Sequence, residues 1–171
     1  DTIVQEVRTL AALVDAFHRF ARLPETRLGE CDLASVVAQV VNLYDGTKPG
    51  VAISSEVPAG LDPVRGDGEQ IKRAIVNLVD NAVAATPSGG TVSVRAAVED
   101  GLARVVVTDD GPGIPPEERD LVFEPTYSTK ANGFGLGLSI TSRIADEHRG
   151  RVVLEENAPR GCRFVLEWPA A

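Results

Sequence analysis

Ile3, Val7, Leu10, Val14, Phe17 and Ala21 recur at alternating spacings of four and three, the seam of a coiled coil or four-helix bundle. One helix cannot bury such a seam unaided, although an amphipathic helix packed on its own domain would show the same pattern. Pro24 ends the helix, and Glu25 to Glu30 read as a linker. A second helix is predicted from Asp32, an N-cap residue, with Leu33, Val36, Val37, Val40, Val41 and Tyr44 on one face and Gly46 as its stop. Val51, Ile53, Ser55 and Val57 alternate as a strand. Val64 and Arg65 then lead to Asp67, and Gln70 three residues on makes a capping-box-like start for a helix running to about Thr86.

Further along, Val92, Val94, Ala96 and Val98 alternate, Asp100-Gly101 turns the chain, and Leu102 to Val107 returns as a more buried strand. A Gly- and Pro-rich stretch follows from Asp110 to Pro116, then a short helical piece, EERDLVFE, and a second Gly-rich stretch that opens a helix from about Leu136 to His148. RVVLEEN and CRFVLEW form a closing hairpin. Helices interleaved with hairpins predict an α+β fold, a two-layer sandwich with helices on one face of a mixed sheet, rather than a doubly wound parallel one.

The length of 171 residues suits one domain with a short appendage. A composition 43% hydrophobic and 25% charged is that of a globular chain with a core, and no apolar run reaches membrane-spanning length. The first residues read as the middle of a helix, so the chain is expected to be a piece of something longer. The net charge of -8 and the lack of a Lys/Arg cluster argue against nucleic-acid binding. An acidic chain that handles phosphates must use metal ions and backbone N–H groups. Cys31 and Cys162 lie in no CxxC pair and near no ligand-spaced His, which points to a reducing compartment and no structural zinc.

Four clusters carry candidate chemistry. In NLVDNAVAAT, Asn77 and Asn81 lie four apart on one helix face, with Arg73 a turn earlier. Their amide oxygens suit a hydrated Mg²⁺ shared with a phosphate chain, though two solvated asparagines would look the same. In DDGPGIP, Asp109 ends a buried strand and can accept from an adenine amino group, while Gly111 and Gly113 let backbone approach a flat ligand. A plain Gly/Pro turn is the alternative. In VFEPTYSTK, Phe123 would pack a loop on the core and Lys130 could reach a terminal phosphate, or simply be solvated. In GFGLGLSI, Gly133, Gly135 and Gly137 open a helix whose N-terminal N–H groups and dipole form an anion site. The pattern is neither GxxxxGK[ST] nor GxGxxG after a first strand.

In order and spacing, Asn81, Asp109-Gly111-Gly113, Phe123 and Gly133-Gly135-Gly137 resemble the N, G1, F and G2 boxes of the histidine kinase catalytic domain. That domain is a member of the gyrase, heat-shock chaperone, histidine kinase and MutL superfamily. The resemblance covers roughly residues 30 to 170, and FHRFARLP with FEPTYSTK is similar to nitrogen-regulation sensors of the NtrY type. It implies the superfamily's Bergerat fold and ATP between the long helix and a short lid from Pro125 to Gly133. It implies Mg²⁺ on Asn81, assistance at the phosphates by Asn77, adenine reading by Asp109, and phosphate binding at Gly135, Leu136 and Gly137. Lys130 would contact the terminal phosphate, making Asn77 and Lys130 the catalytic candidates. A methyl at Gly135 would fall where backbone meets phosphate.

By the same resemblance, residues 1–23 are the second helix of a dimerisation and phosphotransfer domain, 24–30 a linker and 31–171 the catalytic domain. The superfamily's ATPases carry a general-base Glu four residues before the metal-binding Asn, and here that slot is Asn77, so a phosphotransferase is implied rather than a hydrolase. The acceptor in such kinases is a His followed by an acid. His18 is followed by Arg19 and is expected to be structural; His148 should complement a helix C-terminus. The chain is therefore expected to bind ATP without phosphorylating itself. Its implied partners are the phosphoacceptor-histidine helix, a response regulator and, in the intact protein, a second copy. A cytoplasmic domain is implied, with an inner-membrane anchor elsewhere in the full-length protein left open. Two departures from the family are Ser128, where relatives carry a basic residue, and Cys162, where they carry Ser or Thr. The rival readings are a non-catalytic nucleotide-sensing or dimerisation module and an ATPase of the same superfamily.

Overall fold

The computed structural model describes residues 24–127 and 135–171, together with Ile3, Val4, Val7, Leu10, Ala11, Val14, Phe17 and His18. These eight N-terminal residues are all helical, and the seam positions Ile3, Val7, Leu10, Val14 and Phe17 are between 55% and 79% exposed. Ala21, the last seam position, lies outside the described residues. None of the helices among the described residues is long and apolar enough to cross a membrane.

Seven strands and three α-helices follow. They are β1 (Gly29–Cys31), α1 (Leu33–Tyr44), β2 (Ala52–Glu56), β3 (Val64–Gly66), α2 (Gly68–Ala85), β4 (Thr91–Glu99), β5 (Leu102–Asp109), α3 (Gly137–Glu147), β6 (Arg151–Glu156) and β7 (Cys162–Pro169). The main sheet has the order β2-β4-β5-β7-β6; β2 joins β4 in parallel and the other pairs are antiparallel. The strand alternation decides which face is covered. Val92, Val94 and Ala96, Ala103, Val105 and Val107, and Phe164, Leu166 and Trp168 point to one face and are buried beneath the helices. The expected mixed sheet with helices on one face is therefore what forms.

The open face carries ion pairs across the strands. Glu167 on β7 stands opposite Arg104 on β5 and Arg151 on β6, bonded at 2.8 and 2.7 Å. It is only 6% exposed on a face that no helix covers among the described residues. Burial would raise its carboxyl, but hydrogen bonds from Arg151 and Arg104 and their charges reverse that and hold it below the ordinary carboxylate value.

The helix ends confirm most of the expected caps. Asp32 Oδ1 accepts from Ser35 N at 2.9 Å, and Gly46 takes φ +69 past the end of α1. At the head of α2, Asp67 Oδ1 accepts from Glu69 N and Gln70 N, but the capping box is not reciprocal. Gln70 Nε2 instead donates to the Pro24 carbonyl, and the Asp67 N–H donates to His148 Nε2 at 2.9 Å. At the other end, the Lys48 ammonium donates to the carbonyls of Val83 and Thr86, each at 2.7 Å, satisfying groups that the helix leaves unpaired.

Two features were not expected. Gly29–Cys31 and Val64–Gly66 pair as a small antiparallel sheet, three residues a strand and too short to alternate visibly. EERDLVFE is not one helix but parts of two 3-10 turns, Pro116–Glu118 and Leu121–Phe123, because each closes only i to i+3 bonds.

Because the Glu167 carboxyl is depressed in the folded state, its stabilisation is present above the ordinary value of 4.5 and is lost as pH falls through the lower folded value. Glu167→Gln should cost about 1 kcal/mol at pH 7 in urea unfolding, shrinking as the pH is lowered toward 3. A penalty independent of pH would show that the ion pairs contribute nothing.

Candidate nucleotide site

Along α2, Asn77, Asn81 and Ala85 succeed one another at four-residue steps, each a rise of about 6 Å on roughly one face. The two ends of this row meet the two glycine segments. Asn77 Nδ2 donates to the Gly137 carbonyl at 3.0 Å and approaches Thr141 Oγ1 at 3.5 Å. At the far end, a Cβ on Gly111 would lie 3.0 Å from Ala85 Cβ and 3.1 Å from its carbonyl oxygen. Asn81, half-buried, lies between. Among the candidate residues the structure thus gathers Asn77, Asn81, Asp109, Gly111 and Gly137 around one stretch of α2.

Asp109 ends β5 on the covered face, opposite the start of β7, and is 2% exposed. Its Oδ1 accepts from Gly111 N at 2.8 Å and Cys162 N at 3.3 Å. Among the described residues no donor is bonded to Oδ2, and no fully buried side-chain polar atom lacks a partner, so Oδ2 keeps some exposure. Burial pushes the Asp109 carboxyl up, against the two N–H bonds, and neighbouring Asp110 adds to the rise. Asp110 does a different job: its Oδ2 accepts from both the N–H and the hydroxyl of Thr91 at 2.8 and 2.7 Å, tying the loop to β4. Gly113 has φ +79, where a side chain would be strained, and its Cβ would lie 3.3 Å from the Gly161 carbonyl oxygen.

At the other end, α3 begins without a side-chain cap, so its first N–H groups are open to an anion. Leu136, the cap residue, is 6% exposed and sits in the core, so only its backbone can meet a ligand. Its carbonyl accepts from Ile140 N at 2.9 Å and Ser139 Oγ at 2.9 Å. Gly135 has φ +64, and a Cβ there would lie 2.4 Å from the Tyr127 carbonyl oxygen and 2.5 Å from the Thr126 carbonyl carbon. Gly135 is therefore required by the chain crossing beside it, and the methyl expected to strike a phosphate would strike this backbone first. Gly137 differs: its Cβ would make only ordinary contacts, 3.7 Å or more, with Asn77.

Phe123 packs a loop on the core as expected, edge-on to Phe164 at 6.4 Å. Lys130, Gly133 and Ser128 lie outside the described residues. Burial and the facing Asp109 push the Cys162 thiol up to about 11, although Arg119 opposes the rise, so it stays neutral. His148 does bond the end of α3, its Nδ1 against the Ile144 carbonyl at 2.8 Å, but Nε2 accepts from Asp67 N. The ring thus bridges the end of α3 and the head of α2. Sequence reasoning also missed the tether from Asn77 to α3, since partners 60 residues apart leave no local signal.

A family model described as histidine kinase-, DNA gyrase B-, and HSP90-like ATPase matches residues 66–171. The nitrogen regulation protein NtrY of Azorhizobium caulinodans is 34% identical over 169 residues, covering 94% of this chain and 22% of the relative. Sporulation kinase A of Bacillus subtilis is 35% identical over 172 residues, covering 99% and 28% respectively. Full-length ShkA in complex with AMPPNP superposes with a TM-score of 0.84 at 30% identity, over 99% of this chain and 38% of that one. The catalytic domain of histidine kinase ThkA, nucleotide-free, gives 0.77 at 33% identity over 84% and 96%. The chain belongs to the histidine kinase-, DNA gyrase B- and HSP90-like ATPase family, as an ATP-binding catalytic domain of the sensor histidine kinase kind. It spans between a fifth and a third of the length of these two curated relatives.

The two glycines should respond differently to alanine. Gly135→Ala should lower the thermal midpoint by several degrees, through strain at positive φ and the clash with Tyr127. Gly137→Ala should leave the midpoint within about 2 °C while weakening ATP at least about 5-fold in calorimetry, because only a ligand meets the added methyl closely. Unchanged ATP affinity in Gly137→Ala would place the phosphates elsewhere.

Proposed function

We propose that this chain holds Mg²⁺-ATP in the hollow beside α2 and presents the terminal phosphate to a histidine on a partner helix, as the catalytic domain of a two-component sensor histidine kinase. The observation that carries this reading is the place of Asn81, one helical turn from the residue that binds the Gly137 segment and one from the residue that abuts Gly111. Asp109 Oδ2 would accept from the adenine amino group. The N–H groups that open α3 would hold the phosphates, in company with Gly135 and Gly133, and Gly111 and Gly113 would let the backbone close on the base. Lys130 would supply the cation at the terminal phosphate.

The donors beside α2 fit Mg²⁺, a hard cation that takes oxygen ligands and keeps several waters. Asn81 would contribute an amide oxygen to it. When bound, the ion would neutralise charge developing on the transferred phosphate. Asn77 cannot act as a base toward water: an amide takes up no proton near neutral pH, and its NH₂ is occupied by the Gly137 carbonyl. That favours a protein acceptor over hydrolysis.

The chain's two histidines are unsuited to be that acceptor. His148 is 5% exposed with both ring nitrogens bonded, and His18 is followed by a basic residue. The acceptor would come from a partner helix packed on residues 1–23, whose described seam positions are exposed, in a homodimer of the intact protein. Residues 24–30 would be the linker and 31–171 the catalytic domain. The isolated ThkA catalytic domain matches 84% of the chain and full-length ShkA 99%, which supports that division. ThkA has also been solved in complex with the response regulator TrrA, and a regulator of that kind would take the phosphate onward here. The domain would work in the cytoplasm, whether or not the full-length protein is anchored in the inner membrane.

Calorimetry should show Mg²⁺-ATP binding at sub-millimolar concentration, weakened at least about 10-fold by Asn81→Asp, which sets a charge among phosphates. No binding at millimolar nucleotide would leave only a non-catalytic module. Asp109→Asn should weaken ATP yet raise the thermal midpoint. A carboxyl shifted up by burial destabilises the fold above its folded pKa, and the amide removes that cost; the gain should fade as pH falls. With labelled ATP and a histidine-bearing helix supplied in trans, label should pass to the helix. Label released as free phosphate instead would mark an ATPase.

A further inference from the structure

The tip of the β6–β7 hairpin, residues 157–161, meets the strand end that carries Asp109. β5 and β7 pair from Leu102↔Pro169 to Thr108↔Arg163, so the Asp109 carbonyl lies one residue beyond their paired ladder. A backbone carbonyl in so enclosed a place needs a donor. It finds one in Asn157, whose Nδ2 donates to Asp109 O at 3.0 Å. Asn157 is half-buried while Ala158, Pro159 and Arg160 beside it are exposed, and its N–H closes the loop onto the Gly161 carbonyl at 3.3 Å. Gly161 passes so close that a Cβ would lie 1.8 Å from the Asp109 carbonyl oxygen. A second clamp ties the loop after β5 to the end of β6: Arg119 donates to the Ile114 carbonyl at 3.2 Å and to Glu156 at 2.6 Å.

Asp109 is thus gripped by three hydrogen bonds at two atoms, Oδ1 by Gly111 and Cys162 and its carbonyl by Asn157, with Oδ2 left unbonded among the described residues. We infer that Asn157 is a positioning residue for base recognition: by fixing the Asp109 main chain it sets the direction of Oδ2, so the hairpin tip tunes how well the site tells a purine with a 6-amino group from one without. The inference rests on the reading that Asp109 meets the adenine. Asn157 itself touches no part of the nucleotide, and its effect passes through Asp109 alone.

The test uses the whole chain and two probes in calorimetry, Mg²⁺-ATP and the Mg²⁺ complex of purine riboside triphosphate, which lacks the 6-amino group. Wild type should prefer ATP. Asn157→Ala should lose about 3- to 10-fold in ATP affinity, the scale of one hydrogen bond, and leave the analogue within about 2-fold of its wild-type value. Asn157→Asp keeps the side-chain size while replacing the donor with an acceptor, and should lose the same preference. It serves if the alanine variant does not fold. Equal weakening of both probes would show a merely structural role and overturn the inference, as would a wild-type preference in both variants. Asp109→Asn separates the two levels. If it abolishes the preference and the Asn157 variants do not, the adenine reading stands and the positioning role fails. If Asp109→Asn retains the preference, the adenine reading fails and the positioning role falls with it.

Discussion

The burial of one face of α2 against the sheet governs everything else in the site. Ile71, Ala74, Ile75, Leu78, Val79 and Ala82 are fully buried, and at roughly 25 cal/mol per Å² of apolar surface such a face dominates the local energetics. Once those residues are seated, the rotation of the helix is fixed, and Asn77, Asn81 and Ala85 must fall on the flank where the two glycine segments pass. A slip of one residue would turn them by about 100° and separate the asparagines from both segments. The ends of α2 are also held, by Asp67 at its head and by the Lys48 ammonium at its tail. The polar flank owes its position to apolar contacts on the other side.

The site follows a division of labour suited to an acidic protein. With a net charge of -8 the chain does not offer a broad basic surface to a polyanion. It offers backbone instead: open N–H groups at the head of α3, and glycines where the main chain must come close. A buried carboxylate is accepted at the opposite end, where burial has raised the Asp109 carboxyl and three hydrogen bonds hold the residue in place. Such a group lowers the stability of the empty protein and becomes useful only when a donor arrives, a pattern common at functional sites.

Much of this was legible from the chain. The α2 face, the β4–β5 and β6–β7 hairpins and the caps at Asp32 and Asp67 each rest on a pattern repeated within a few residues, which is why alternation and helical spacing found them. Asn81, Asp109, Gly111 and Gly137 were nominated through the order and spacing of their boxes, and the fold sets the glycine segments against α2 on either side of Asn81. What escaped was long-range or very short. Three-residue strands cannot alternate visibly, and the bonds of Asn77 to Gly137, His148 to Asp67 and Asn157 to Asp109 join residues 48 to 81 apart. Gly135 was expected to meet phosphate, and its further need for glycine, the clash with Tyr127 across the loop, escaped because no local pattern reveals that neighbour.

Paramagnetic broadening addresses the shared hollow most directly. With Mn²⁺ replacing Mg²⁺ in an amide-labelled sample containing ATP, signals from residues 77–85 and from the first turn of α3 should broaden or vanish. Those from Arg104 and Arg163, on the open face of the sheet, should remain sharp. Broadening on the open face, or none beyond that caused by Mn²⁺ alone, would contradict a nucleotide held between α2 and the two glycine segments.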